Sequence, residues 1–162
     1  MQIRDATDAD VPAILAIYND VVANTTAIYD EHPSTLDERR AWFQGRLRAG
    51  HPVLVADLNG EVVGFSSFGE WRSRWGYRFT VEHSVHVRAD CRGKGYGRVL
   101  IEALFPSAAA MGKHVMMAHI DSAATASLRL HEKLGFVPVG TFREVGKLRA
   151  GWLSVVAMQR EI

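Results

Sequence analysis

The chain has 162 residues, of which 48% are hydrophobic and 23% charged, with a formal net charge of +1. That length fits one domain spanning residues 1–162, and the near-neutral balance excludes bulk electrostatic attraction to nucleic acid or to an anionic membrane. A lone cysteine, Cys91, excludes an intramolecular disulfide, and the chain has no 18-residue apolar run and no uninterrupted apolar N-terminal stretch, which points to the cytoplasm.

In chain order, "ATDADVPAILAIYNDVV" predicts a helix, with Thr7 and Asp10 placed to cap its first turn and Ile14, Leu15, Tyr18 and Val22 recurring at helical spacing. "STLDERRAWFQGRLRAG" predicts a second, capped by Ser34 or Thr35 and closed by Gly50. "PVLVADLNGEVVGFSSFG" reads as a β-hairpin around Asn59-Gly60, both of which tolerate positive φ. An aromatic and basic loop, "EWRSRWGYR", leads into the strand "FTVEHSVHV", then a glycine-dense turn and a helix from about Gly95 that Pro106 should kink or end. "KHVMMAHI" predicts a buried strand, "ATASLRLHEKLG" a helix stopped at Gly135, and "FVPVGTF" and "WLSVVAMQ" two closing strands. This order predicts an α/β domain with a mixed, mostly antiparallel central sheet flanked by helices.

Within "VRADCRGKGYGRVLIEAL" three glycines, Gly93, Gly95 and Gly97, fall in five positions among Arg92, Lys94 and Arg98. A strand that ends in such a turn and enters a helix leaves unpaired backbone donors converging where the helix dipole also favours an anion, so the turn predicts a phosphate seat. A P-loop would need Lys-Ser or Lys-Thr after glycines five apart, and the dinucleotide fingerprint would need glycine where Arg98 stands. Neither nucleotide motif fits.

Arg-x-x-Gly-x-Gly at Arg92, Gly95 and Gly97, directly after a Val-His-Val strand end, resembles the pyrophosphate loop of the Gcn5-related N-acetyltransferases. "ASLRLHEKLGFVPVG" is similar to that family's second signature, and the element order is that of the family's single-domain fold. "AIYNDVVANTTAIYDE", "GEWRSRWGYRFTVEHSVHV" and "GKHVMMAHIDS" resemble the branch that acetylates phosphinothricin, methionine sulfone and methionine sulfoximine. The resemblance implies acetyl-coenzyme A as donor, a small amino acid as acceptor and no metal. It implies main-chain contacts to the cofactor arm from Val85, His86 and Val87, and cofactor contacts from Arg92, Gly93, Lys94, Gly95, Tyr96, Gly97, Arg98, Ala124, Ser127 and His131. Where the family commonly has asparagine this chain has Ala124, and His131 stands where many relatives place a tyrosine. The late run "VGKLRAGWLSVV" also departs from the branch.

Amide formation from a thioester needs a neutral amine, so a general base contributes. Strand alternation puts Glu82, Ser84 and His86 on one face and His83, Val85 and Val87 on the other. Glu82 is the first candidate for the base and His83 the other. The resemblance adds a backbone donor near Val85 that would meet the developing oxyanion. The resemblance implies that Arg72, Ser73 and Arg74 with residues 82–84 form the acceptor pocket, an arginine fork suiting a carboxylate or an oxidised sulfur or phosphorus head, with Trp71, Trp75 and Tyr77 as walls. The histidine pairs His83/His86 and His114/His119 point to opposite faces and make poor metal ligands, and Cys91 has no activating neighbour in sequence. Acetylation of another amine or a protein N-terminus, or coenzyme A binding without turnover, are the competing readings. The aromatic loop is also compatible with a homodimer contact.

Overall fold

In the computed structural model, which describes residues 1–162, the sheet starts with β1 (Gln2–Asp5), and the chain then forms α1 (Val11–Asn24) and α2 (Leu36–Arg48). A 3-10 turn at Asp8–Asp10 precedes α1, and the Asp10 carboxylate accepts the Thr7 N–H at 2.7 Å and the Thr7 hydroxyl at 3.0 Å, so α1 begins later than the apolar spacing implies. Thr35, not Ser34, caps α2: its hydroxyl accepts the Glu38 N–H while the Glu38 carboxylate accepts the Thr35 N–H. The hairpin forms as β2 (Val53–Leu58) and β3 (Glu61–Glu70) around Asn59 and Gly60, both at positive φ.

After β4 (Thr80–Val87) the glycine turn enters α3 (Tyr96–Glu102), and Ala103 separates it from α4 (Leu104–Ala110). The interruption falls one turn ahead of Pro106, whose ring excludes a bond to the Glu102 carbonyl. Then come β5 (Val115–Asp121), α5 (Thr125–Lys133), β6 (Val137–Leu148) and β7 (Gly151–Glu161). β6 continues six residues past Phe142, the predicted end. Its polar extension stays paired with β7 by absorbing a register shift between Phe142 and Gly146, with Glu144 at φ 48°.

The sheet order is β1-β2-β3-β4-β5-β7-β6, antiparallel throughout except between β4 and β5. Alternation on β3 divides the core: Phe65 packs toward Ile14, Ile17 and Phe43 of α1 and α2, while Phe68 packs toward Ile101, Leu104 and Ala108 of α3 and α4. Burying each such aromatic ring stabilises by about 1.5–3 kcal/mol. No helix is long and apolar enough to cross a membrane.

The parallel contact is short. β4 and β5 pair only at Thr80–Val115, Val81–Met116 and Glu82–Met117. Beyond those pairs β5 stays with β7 as far as Asp121, while β4 remains paired with β3, so the two strands separate and the sheet opens between them.

Candidate active site

Glu82 stands where the two strands part. Across β3–β4 its partner is Gly69, and a Cβ there would fall 1.6 Å from Arg46 Nη1, so the missing side chain leaves room for the α2 guanidinium beside Glu82. Met117 lies beside Glu82 in the parallel pair, so His119, two residues on, shares its face. The His119 Nδ1–H donates to Glu82 Oε1 at 2.8 Å. That hydrogen bond raises the histidine pKa above its ordinary value, opposed by partial burial and by the charge of Arg72.

A cavity of about 500 Å³ fills the opening. Its lining comes from both faces of the sheet: Glu82, Ser84, His86, His119 and Asp121 on the side of α1 and α2, and His83, Val85, Ala118 and Ile120 on the side of α5. The segment joining α1 to α2, Thr25–Tyr29, closes one wall, and the Thr26 hydroxyl donates to Asp121 Oδ2 at 2.5 Å. Asp121 also accepts the Ala123 N–H at 2.9 Å, fixing the turn into α5 whose N-cap position is Ala124. Burial, with the charges of Asp121 and Glu82, pushes the Tyr29 phenol up to about 12, so it stays a neutral donor.

His83 and His131 meet on the α5 side with nearly parallel rings and their Nε2 atoms 3.1 Å apart. His131 Nδ1 lies 2.7 Å from the Ser127 carbonyl, which can only accept, so the proton sits on Nδ1 and His131 Nε2 is a bare acceptor. His83 must then donate through Nε2–H, and its Nδ1 is buried with no hydrogen-bond partner. Burial drives the His83 pKa down to about 3 and lowers that of His131. His83, the other base candidate, is thus an enclosed neutral ring with its Nε2 already engaged, ill placed to collect a proton. His86 is likewise held neutral, pushed down to about 4 by burial and the nearby charges of Arg39 and Arg92.

The glycine turn forms a groove beside the cavity. Gly93 and Gly95 take φ of 75° and 84°, angles that side chains disfavour, which turns successive backbone N–H groups toward one concavity. Arg92 Nε donates to the Val87 carbonyl at 3.0 Å and Nη2 reaches Asp20 at 3.4 Å, while Arg98 pairs with Glu102. Lys94 is exposed beside them. The groove is lined by Val87, Arg92, Gly93, Gly95, Tyr96, Gly97 and Arg98, and it meets the cavity at Val85 and Ser127, which line both.

Most of the sequence-expected residues therefore converge, and the acceptor loop divides. Arg72, stacked 4.6 Å from the Trp71 ring centroid, lines a second depression with Tyr77, Glu82 and His119, whereas Ser73 and Arg74 are exposed and line neither. Trp75 is 79% exposed and walls nothing. Cys91 is buried against Ala56, Val63 and Leu100. Sequence reading missed Tyr18, Tyr29, Arg39, Trp42, His119 and Asp121. The α1–α2 residues carried only the resemblance, and His119 meets Glu82 through a register that one sequence does not display.

A glycine turn suited to an anion, joined to an open cavity that holds a carboxylate–histidine pair, has the form of an enzyme site for a phosphate-bearing co-substrate beside a small polar one. Comparison with known proteins is specific. Residues 14–136 match the model of the Acetyltransferase (GNAT) family. An L-methionine sulfoximine/L-methionine sulfone acetyltransferase of Pseudomonas aeruginosa is 54% identical over 97% of this chain and 92% of its own length. Two solved structures superpose over nearly the whole chain. The crystal structure of a ribosomal-protein-alanine N-acetyltransferase from Brucella melitensis has a TM-score of 0.98 and 43% identity, covering 100% of both chains. That of a GNAT superfamily phosphinothricin acetyltransferase from Sinorhizobium meliloti, in complex with AcCoA, has a TM-score of 0.96 and 36% identity, covering 99% of this chain and 88% of its own. The chain belongs to the GNAT acetyltransferase family and is an N-acetyltransferase.

Proposed function

We propose that this enzyme transfers the acetyl group of acetyl-coenzyme A to the α-amino group of a small amino acid with an oxidised, tetrahedral side-chain head, such as methionine sulfone, methionine sulfoximine or phosphinothricin. The observation that carries the reading is the continuity of the glycine-turn groove with a cavity of about 500 Å³ at Val85 and Ser127, the Glu82–His119 pair lining that cavity. That volume suits a small ligand. The Pseudomonas enzyme's named substrates support the choice of acceptor.

In this reading the backbone of residues 92–98 holds the pyrophosphate, with Arg92, Lys94 and Arg98 adding charge, and the main chain of Val85, His86 and Val87 holds the pantetheine arm. Ala124, Ser127 and His131 line its far side. The acceptor enters from the α1–α2 side with its ammonium toward Glu82, which takes the proton and exposes the nitrogen lone pair to the thioester carbon. His119 keeps Glu82 oriented through the 2.8 Å hydrogen bond. A backbone donor near Val85 meets the oxyanion. Arg72, which lines the neighbouring depression with Glu82 and His119, would meet the acceptor from the loop side, and Ser84 completes the floor.

We propose further that the enzyme works in the cytoplasm as a homodimer. Val137, Val139, Phe142 and Val145 on edge strand β6, with Trp152 on β7, are all more than half exposed, forming an apolar surface that a second copy would cover. A sedimentation measurement reporting a monomer at micromolar concentration would refute this part.

Acetylation of a protein N-terminus is the second reading, favoured by the Brucella structure's name. Thiol release from acetyl-coenzyme A over a panel of amines separates the two. Turnover should peak on the oxidised methionine analogues and phosphinothricin; indifference to them with turnover on Ala-initiated peptides would replace the first reading with the second.

A further inference from the structure

Arg39, on α2, is only 8% exposed, and no carboxylate lies within ion-pair distance of it. Its guanidinium carbon lies 3.6 Å from the Tyr18 ring centroid and 4.9 Å from that of Trp42, and its Nε is buried with no hydrogen-bond partner. The rings supply a weak counter-field, but a desolvated cation with no counter-ion is a costly arrangement unless something that comes and goes completes it. Arg39 lines the cavity, together with Tyr18, Trp42 and His86. His86 beside it, neutral or cationic in any protonation state, cannot compensate the charge.

The opposite side of the same cavity is acidic, with the Glu82 and Asp121 carboxylates. The cavity is therefore electrically polar, with carboxylates along β4 and β5 and an unpaired guanidinium from α2. A zwitterion complements that polarity, its ammonium drawn to the carboxylates and its oxygens to the guanidinium. The coenzyme's phosphates are not the partner, because the glycine-turn groove does not include Arg39.

We propose that Arg39 is the oxygen receptor of the acceptor site, holding paired oxygens of the amino acid with its guanidinium fork. Those oxygens belong either to the α-carboxylate or to the sulfonyl or phosphinyl head, groups that offer the same planar fork two acceptors. The proposal rests on the small-amino-acid reading above.

The test is steady-state acetyl transfer by the full chain with methionine sulfone, methionine sulfone carboxamide and methionine as acceptors. Wild type, Arg39→Met and Arg39→Lys are compared, with acetyl-coenzyme A affinity measured by calorimetry on each. Arg39→Met should raise KM for the sulfone by about 30-fold while leaving acetyl-coenzyme A affinity unchanged. Should Arg39→Met not fold, Arg39→Lys decides: it keeps the charge and loses the fork, and should raise that KM about tenfold. Loss of discrimination between the sulfone and its carboxamide in the variants assigns the fork to the α-carboxylate, and loss of discrimination between sulfone and methionine assigns it to the head. Unchanged acceptor KM, or a parallel loss of acetyl-coenzyme A affinity, overturns the role of Arg39. Failure of the wild type itself on all three amino acids instead overturns the functional reading.

Discussion

Replacing Glu82 with glutamine tests the chemistry with little disturbance to the fold. Its carboxylate accepts from His119 at 2.8 Å, and the amide oxygen of glutamine can accept in the same place. Glu82 is 38% and His119 21% exposed at the side chain, so water screens the pair and its contribution to stability is about 0.5 kcal/mol. The melting temperature should therefore fall by only about 1–2 °C. The sign with pH follows from the raised His119 pKa: the contribution is full below the ordinary histidine value and vanishes as pH rises through the raised one. Wild type and variant should accordingly converge in stability at alkaline pH. Activity should respond far more, since a positioned general base contributes about 10²–10⁴-fold. With an α-ammonium pKa near 8, about one acceptor in ten is neutral at pH 7, and a variant without a base depends on that fraction. Its log rate should climb with unit slope to about pH 8. The assay is thiol release under saturating acetyl-coenzyme A, with cofactor binding measured separately by calorimetry. A kcat within about threefold of wild type would refute the assignment of Glu82 as base.

Gly95→Ala places a side chain at φ 84° in the phosphate turn, which should cost about 1–2 kcal/mol and weaken acetyl-coenzyme A binding at least about tenfold, readable by calorimetry; undiminished affinity would mean that the turn is only structural. Asp10 is held down to about 2, chiefly by its hydrogen bonds from Arg4 at 2.8 and 2.9 Å, so it should contribute about 2 kcal/mol that is present above pH 4 and lost as pH falls toward 2. Denaturant titrations at pH 7 and pH 2.5 should show Asp10→Asn less stable than wild type at the first, with only about a third of that difference left at the second. Phe68→Ala empties a fully buried position between β3 and α4, and calorimetric melting should show a loss of about 3–5 kcal/mol, or roughly 10 °C.

The fold was largely legible because each element carries its own local signal. Asn59-Gly60 marks the hairpin, Thr35 and Glu38 cap α2, and Pro106 breaks the helix one turn upstream. β6 was read too short because its second half, "REVGKL", has no apolar alternation and a single β-branched residue, Val145, and is held in the sheet only by pairing with β7. For the proposed site, the part assigned to the phosphates and the start of the arm lies on one continuous stretch, Val85 to Arg98, where composition and order say nearly everything, while Ala124, Ser127 and His131 come from α5 and the turn before it. The acceptor half is assembled from α1, α2, β4 and β5, and its members carry no motif. Arg39 and Trp42 read as one face of an ordinary charged helix, and only their burial against Tyr18 and Phe65 separates them from surface residues.

That asymmetry has a physical origin in the three-pair contact between β4 and β5. Ala118 and Ile120 continue the apolar alternation of β5, so the sequence there reads as a strand that should go on pairing. What holds β4 away is packing supplied from elsewhere: His83 is engaged by His131 and Phe136 on the α5 side, and Asp121 is tied to the turn into α5 and to Thr26. α5 therefore touches β4 through the His83–His131 contact and lines one side of the cleft. Alternation along β4 presents Glu82, Ser84 and His86 to one side of the cleft and His83, Val85 and Val87 to the other, with no register shift against β3.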